Sequence, residues 1–288
     1  MDELFVAVTG ATGSVGGRVA QQLADAGVRQ RLVVRDLSRA PALPRAEARR
    51  ASSYGAFDEM RAALDGAGVA FLIPATEAED RVEQHKTAID AVVAAGVARV
   101  VYLSQISAAP DATFTLARDH WHTEQHIRAS GLAWTFLRMN LYLDSIPAMV
   151  TAEGVIRGPA SDGQLSAVLR GDVAASVTAV LTSKDHDGRE FALTGSESFT
   201  LAEAAATMSQ ASAKAISFID ETDDEASTSR RALGASDYEV AGWTSSYQAI
   251  RNGDLAAVTQ DVRDLTGHDP VTLSAYLDAN PGALDHVA

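Results

Sequence analysis

Val8-Thr9-Gly10-Ala11-Thr12-Gly13-Ser14-Val15-Gly16-Gly17 is the stretch on which the reading of this chain turns. Before it runs Leu4-Phe5-Val6-Ala7-Val8, an apolar, partly β-branched segment of strand length. After it, Val15, Val19 and Leu23 recur every four residues, the spacing of one helix face. A strand, a glycine turn and a helix in that order are the setting a dinucleotide-binding fingerprint requires. Gly10 permits the tight turn, Gly13 lets the backbone approach a pyrophosphate, and Gly16 lets the helix pack closely on the sheet. Free N–H groups and the positive end of the helix dipole then meet the anion. Ala11, Thr12, Ser14 and Val15 complete the expected contact set. A glycine turn that binds nothing is the plain alternative, and the position and both flanks weigh against it.

Outward from the turn, the first helix stops at Gly27 and Arg31-Leu32-Val33-Val34-Arg35 reads as the second strand. In a dinucleotide fold the end of this strand meets the adenosine ribose, where an acid suits NAD and an arginine suits the extra phosphate of NADP. Here Arg35 is followed directly by Asp36, and Arg39 stands one helical turn onward. Two guanidinium groups suit a 2′-phosphate, so the expected cofactor is NADP, with NADPH preferred over NADH. Between Arg29 and Arg50 lie seven arginines against Asp36 and Glu47, a basic island in a chain of net charge -14. The island reads either as a solvated face or as a local positive pocket for an anion, and its position favours the pocket.

Further strands are predicted near Ala48 to Ser53, over Val69 to Ile73, from Val97 to Leu103 and over Ala133 to Leu137, with helices between. The nearly unbroken apolar run Val69-Ala70-Phe71-Leu72-Ile73 suits a strand covered on both faces. Val82, Ile89, Val92, Val93 and Ala94 mark one helix, and another is predicted over about His120 to Ser130. This rhythm describes a doubly wound α/β fold with a parallel sheet, in which ligands sit at the carboxyl ends of the strands. Gly10, Arg35, Pro74 with Ala75, Ser104 and Asn140 are therefore expected to line one crevice. The division predicted is a dinucleotide-binding domain over 1–150 and a smaller α+β lobe over 151–288 that builds the substrate pocket. In the lobe, Gly154 to Gly163 reads as a loop, Glu190 to Leu193 and Ala215 to Ile219 as strands, and Thr200-Leu201-Ala202-Glu203 as a capping box.

Composition bounds the function. The acidic balance argues against nucleic acid, which needs a basic surface. No apolar run reaches the roughly 20 residues that cross a bilayer, and there are no cysteines, which removes disulfides, thiol nucleophiles and cysteine metal sites. A soluble cytoplasmic protein, monomer or homodimer, is expected.

Thr9-Gly10-Ala11-Thr12-Gly13-Ser14-Val15-Gly16 resembles the extended and atypical branches of the short-chain dehydrogenase/reductase superfamily. Val33-Val34-Arg35-Asp36, the segment from Gly96-Val97 to Ser104, Ser130 to Arg138, and His120 four residues before Glu124 are similar to the NmrA-like subfamily. That subfamily holds NADPH-dependent quinone oxidoreductases, triphenylmethane dye reductases and catalytically silent NADP sensors. The resemblance implies a Rossmann-type domain with NADP in the crevice. The parent superfamily uses a tyrosine followed four residues later by lysine. After Tyr54, Tyr102, Tyr142, Tyr238, Tyr247 and Tyr276 stand instead Asp58, Ile106, Ile146, Gly242, Arg251 and Asn280. The family positions of that pair hold Leu116 and His120. Reduction of ordinary ketones is poorly served; hydride addition to a quinone or cationic dye is less demanding, because the product is weakly basic or simply loses its charge. Ser53 stands where many relatives carry an adenine-binding aspartate.

His120 is a candidate contact to the nicotinamide ribose or a proton donor titrating near neutrality; the bland reading is a histidine on a helix surface. His122-Thr123-Glu124-Gln125-His126 puts its glutamate one place late for a zinc protease, and no metal site is expected. Asn140 or the backbone beside it is a candidate to hold the nicotinamide carboxamide. Tyr142 either flanks an aromatic substrate or packs in the lobe, and Ser104 lies near the expected nicotinamide or merely ends its strand. No Gly-x-Ser-x-Gly elbow supports a hydrolase. The sequence reading is thus an NADPH-dependent reductase of quinones or similar electrophilic aromatics, with a non-catalytic NADP sensor as its rival.

Overall fold

A computed structural model describes residues 4–288. The chain opens with β1 (Phe5–Thr9), α1 (Ser14–Asp25), β2 (Arg29–Val34), β3 (Ala46–Arg50), α2 (Phe57–Leu64), β4 (Val69–Leu72), α3 (Arg81–Ala94), β5 (Arg99–Gln105), α4 (Thr115–Ala129) and β6 (Ala133–Met139). Then come β7 (Val155–Gly158), β8 (Gln164–Leu165), α5 (Arg170–Thr182), β9 (Arg189–Leu193), β10 (Phe199–Thr200), α6 (Leu201–Ser212) and β11 (Ser217–Asp220). The chain closes with α7 (Asp223–Ala232), α8 (Asp237–Arg251), α9 (Asp261–Thr266) and α10 (Leu273–Ala279).

Seven strands form one sheet in the order β3-β2-β1-β4-β5-β6-β9, a Rossmann-like arrangement. The ladders joining β3, β2, β1, β4 and β5 are parallel. Every residue of β1, β4 and β5 is buried, as strands covered on both faces must be. Helix α1 covers the sheet with Val15, Val19, Ala20 and Leu23, the face that the fourfold spacing predicted. The register fixes the site: Thr9 pairs with Val33, Val34 with Arg50, Val8 with Phe71 and Leu72 with Tyr102. Gly10, Arg35, Ser53 and Pro74 therefore follow the carboxyl ends of four adjacent strands, Ser104 is the last residue but one of β5, and all five share one edge.

The chain falls into two compact units. The first holds the chain to Pro110, Asp119–Arg138 and Gly171–Phe191; the second holds Asp111–Arg118, Met139–Arg170 and Ala192–Ala288. Helix α5, apart from its first residue Arg170, thus lies within the first unit although it is late in sequence. In the second unit β7 pairs with β11 in parallel and β10 with β8 antiparallel. The segment Gly154 to Gly163, expected as a loop, contains β7. Its glycines serve close approach, since a Cβ on Gly158 would lie 2.2 Å from the Tyr247 ring. Helices α6, α7 and α8 each begin with a complete capping box, Thr200/Glu203, Thr222/Glu225 and Ser236/Glu239. Among the described residues no helix is long and apolar enough to cross a membrane.

Candidate functional site

The glycine turn is closed by Gly13 N–H donating to Gly10 O at 2.9 Å, with Gly10 at φ 62°. Gly16 is held against this turn so closely that a Cβ there would lie 2.3 Å from Gly10 O and 2.9 Å from Ile73 Cδ1. At the start of α1 the N-cap is Gly13, no side chain caps it and its first turn carries no acid. Unlike α6, α7 and α8, α1 leaves its first N–H groups without a side-chain acceptor, beside exposed Thr12, Gly13 and Ser14. Ala11 and Val15 point inward and are buried. Donors left open at the positive end of a helix are what a phosphate requires, so this turn fits a dinucleotide.

The basic island divides on inspection. Arg31 is buried, donating to Glu47 Oε1 at 2.9 Å and to carbonyls at the end of α2, which makes it a structural residue. Arg29 lies over the Phe5 ring at 4.1 Å, while Arg49 pairs with Glu47 and Arg50 with Glu59. Arg35 and Arg39 are exposed and enter no ion pair among the described residues. Arg45 precedes β3 and so stands at the opposite end of the parallel strands, and the positive pocket expected from seven arginines narrows to Arg35 and Arg39. Asp36, the residue that made the sequence signal mixed, accepts from Ser38 N at 2.9 Å and Ser38 Oγ at 2.7 Å. Those bonds hold its carboxyl below the usual range and tie that oxygen to the turn that carries Arg39. Ser53 is exposed, next to Tyr54.

The end of β4 is fastened at two points. Thr9 Oγ1 donates to Phe71 O at 3.0 Å and accepts from Ile73 N–H at 2.9 Å. Tyr54 OH lies 2.6 Å from both Thr9 Oγ1 and Ile73 O. Beyond Pro74, Ala75 N–H donates to His85 Nε2 at 2.8 Å, and Arg81 Nε donates to Ala75 O at 3.1 Å. Sequence reasoning missed Arg81 and His85. The signal was there: His85 stands three residues after Val82 and four before Ile89, a polar residue on the apolar stripe of α3. Of that stripe, Val93 and Ala94 are exposed and His85 and Arg81 are buried.

His120 corrects an expectation. It is 2% exposed, its Nδ1 lies 2.9 Å from Tyr102 OH and its Nε2 lies 3.5 Å from Arg81 Nη2. Burial, then the charge of Arg81, pushes its pKa well below the ordinary histidine value. It is a neutral, enclosed imidazole and not a group titrating near neutrality. Ser104 is fully buried, its Oγ donating to Glu124 Oε1 at 2.6 Å. Glu124, also fully buried, is held in bidentate fashion by Arg138 at 2.9 and 2.5 Å, and Arg138 reaches Glu190 at 2.9 Å. A buried carboxylate is tolerable in that company.

Two further candidates belong to the second unit. Asn140 is fully buried; its Nδ2 donates to Ser166 Oγ and to Leu255 O, both at 2.9 Å, and its Oδ1 accepts from Leu141 N–H at 2.8 Å. Both amide protons are in use, so the expected carboxamide contact from this side chain is corrected: Asn140 ties its own unit together. Tyr142 lies against the Arg170 guanidinium at 4.0 Å, and Arg170 is anchored by Asp144 at 2.7 Å. Burial outweighs Arg170 and pushes the phenol up to about 12, so it stays protonated at neutral pH.

Comparison with known proteins joins this geometry to a chemistry. A family model described as NAD(P)H-binding matches residues 10–184. A (4-alkanoyl-5-oxo-2,5-dihydrofuran-3-yl)methyl phosphate reductase of Streptomyces griseus is 33% identical over 91% of this chain and 93% of its own. The NADPH-dependent quinone oxidoreductase of Escherichia coli, solved with NADPH, is 29% identical with a TM-score of 0.87, covering 95% of this chain and 99% of its own. The Citrobacter sp. triphenylmethane reductase, solved with NADP(H), is 26% identical with a TM-score of 0.85, covering 95% and 99%.

Proposed function

This chain belongs to the NAD(P)H-binding family, and from that premise we propose an NADPH-dependent oxidoreductase that reduces quinones or similar flat, electrophilic aromatic acceptors without flavin. The observation that carries the reading is the uncapped start of α1 on the same sheet edge as two unpaired arginines. The N–H groups of Ser14 and Val15 receive the pyrophosphate, and Arg35 with Arg39 receives the 2′-phosphate. Bound NADPH supplies a hydride. The chain's contribution is to hold the nucleotide along this edge and to orient it against a flat acceptor.

The same geometry supports the choice of acceptor. Reduction of a quinone to a quinol takes one hydride and one proton, and the oxygen that receives the proton is a weakly basic phenolate. No strong protein acid is required. The titratable groups along the site suit that: His85 and His120 are neutral and enclosed, and the Ser104 proton is engaged by Glu124. Purified protein given NADPH and a panel of quinones and triphenylmethane dyes, with no flavin added, tests the proposal by loss of nicotinamide absorbance. Turnover equal to the protein-free control throughout the panel favours the NADP sensor instead.

A further inference from the structure

We infer that Arg81 and His85 are positioning residues for the nucleotide site: they hold Ala75, and through it the rim at the end of β4, in the form that receives the cofactor. The inference rests on the NADPH reading above and adds two residues to it.

Hydrogen-bond chemistry fixes the arrangement. Thr123 Oγ1 donates its proton to Asp119 O at 2.7 Å, so at 2.8 Å from His85 Nδ1 it acts as acceptor. Nδ1 therefore carries the imidazole proton, and Nε2 is left as the acceptor for Ala75 N–H. Arg81 completes the grip from the other side, donating Nε to Ala75 O while Nη1 reaches Asp119 and Nη2 reaches His120, each at 3.5 Å. Both backbone polar groups of Ala75 are thus fixed from α3, with α4 behind. Two residues earlier in the rim, Ile73 is fixed by Thr9 and Tyr54, and its side chain abuts Gly10 and Gly16. The Ile73–Ala75 segment is consequently immobilised at both ends against the glycine turn.

A packing role alone does not account for this set. His85, Thr123 and Tyr102 are fully buried and Arg81 is 5% exposed. Apolar side chains would join α3 to α4 without desolvating a guanidinium whose nearest carboxylate is 3.5 Å away. They would not hold two backbone groups of one residue at the rim.

Nucleotide affinity is the deciding measurement, taken by NADPH fluorescence titration on the full chain, with thermal melting and wild-type turnover alongside. His85→Phe keeps bulk and removes the acceptor; His85→Gln restores an acceptor toward Ala75; Arg81→Met removes the second grip. Met60→Ala, a core cavity in α2 at a residue that makes none of the rim hydrogen bonds, controls for lost stability. His85→Phe and Arg81→Met are expected to weaken NADPH binding by about tenfold, as one unsatisfied buried N–H or C=O implies. His85→Gln is expected within about threefold of wild type and Met60→Ala at the wild-type value, whatever its melting loss. His85→Phe binding like wild type, or both histidine variants and Met60→Ala weakened alike, overturns the inference. If the wild type binds NADPH yet reduces no acceptor, the reductase reading fails while the affinity series still decides the role of the two residues.

Discussion

Replacing Gly16 by alanine places one methyl group where the backbone of the glycine turn already stands. The new Cβ would lie 2.3 Å from Gly10 O, 2.7 Å from Gly10 C and 2.9 Å from Ile73 Cδ1. Ordinary contact needs about 3.5 Å, so α1 and the turn must part by about 1 Å. The first two atoms are backbone and cannot rotate away. Overpacking of this kind costs about 1–3 kcal/mol, and it displaces the N–H groups proposed to receive the pyrophosphate. With each 1.4 kcal/mol worth about tenfold, NADPH affinity is expected to fall by about 10- to 100-fold. The neighbouring Gly17→Ala is the control: its Cβ meets only Ala11 O, at 3.3 Å, and alanine raises helix propensity by about 0.8–1 kcal/mol. That variant is expected within about threefold of wild type. Titration of NADPH into both proteins, with melting curves for each, measures the difference. A Gly16→Ala protein that binds NADPH as the wild type does would refute the reasoning about this turn.

Three other outcomes follow from the geometry. Arg35→Ala is expected to weaken NADPH by about tenfold or more and NADH by less than about twofold, since only the former carries the 2′-phosphate; equal losses refute the assignment. Arg138→Met leaves the buried Glu124 carboxylate without its bidentate partner and is expected to cost about 3–5 kcal/mol in urea unfolding; a loss below about 1 kcal/mol counts against that network. Burial, reinforced by Arg81, lowers His85 from 6.5 to about 3, so between those values the unfolded chain binds a proton that the folded chain does not. Stability is therefore lost as pH falls through 6.5, by about 2 kcal/mol at pH 5 from this residue, and His85→Gln should lose correspondingly less between pH 7.5 and pH 5. Equal pH slopes for the two proteins would contradict a neutral buried His85.

The first hundred residues were legible because their signals are local. Val15, Val19 and Leu23 declare a helix face, Val69 to Ile73 a covered strand, and the glycines a turn, with no distant contact needed. The helix predicted between the third and fourth strands is present, over Phe57–Leu64. Farther along, tertiary contacts decide. Helix α4 begins at Thr115, five residues before the predicted start, and there Thr115 N–H donates to Ser245 Oγ at 3.1 Å, a partner 130 residues away. The strand at Val155–Gly158 was hidden by glycines that read as loop but serve the approach of Tyr247. Among site residues, the glycine turn and Arg35 announce themselves by motif. Asn140 and His120 were placed by chain position, and only the fold discloses that their polar atoms already have partners. Arg81 and His85 act through the backbone of Ala75, which leaves no motif; their trace is a polar interruption of the apolar stripe on α3.

The most direct trial of the hydride-transfer account is a flavin-free, steady-state measurement of NADPH oxidation by the purified protein with a quinone as acceptor, scored for quinol formed per nicotinamide oxidised. One quinol per NADPH, at a rate above the protein-free control and with no flavin absorbance in the protein, is the expected result. Tight NADPH binding with no quinol or reduced dye from any acceptor would contradict it.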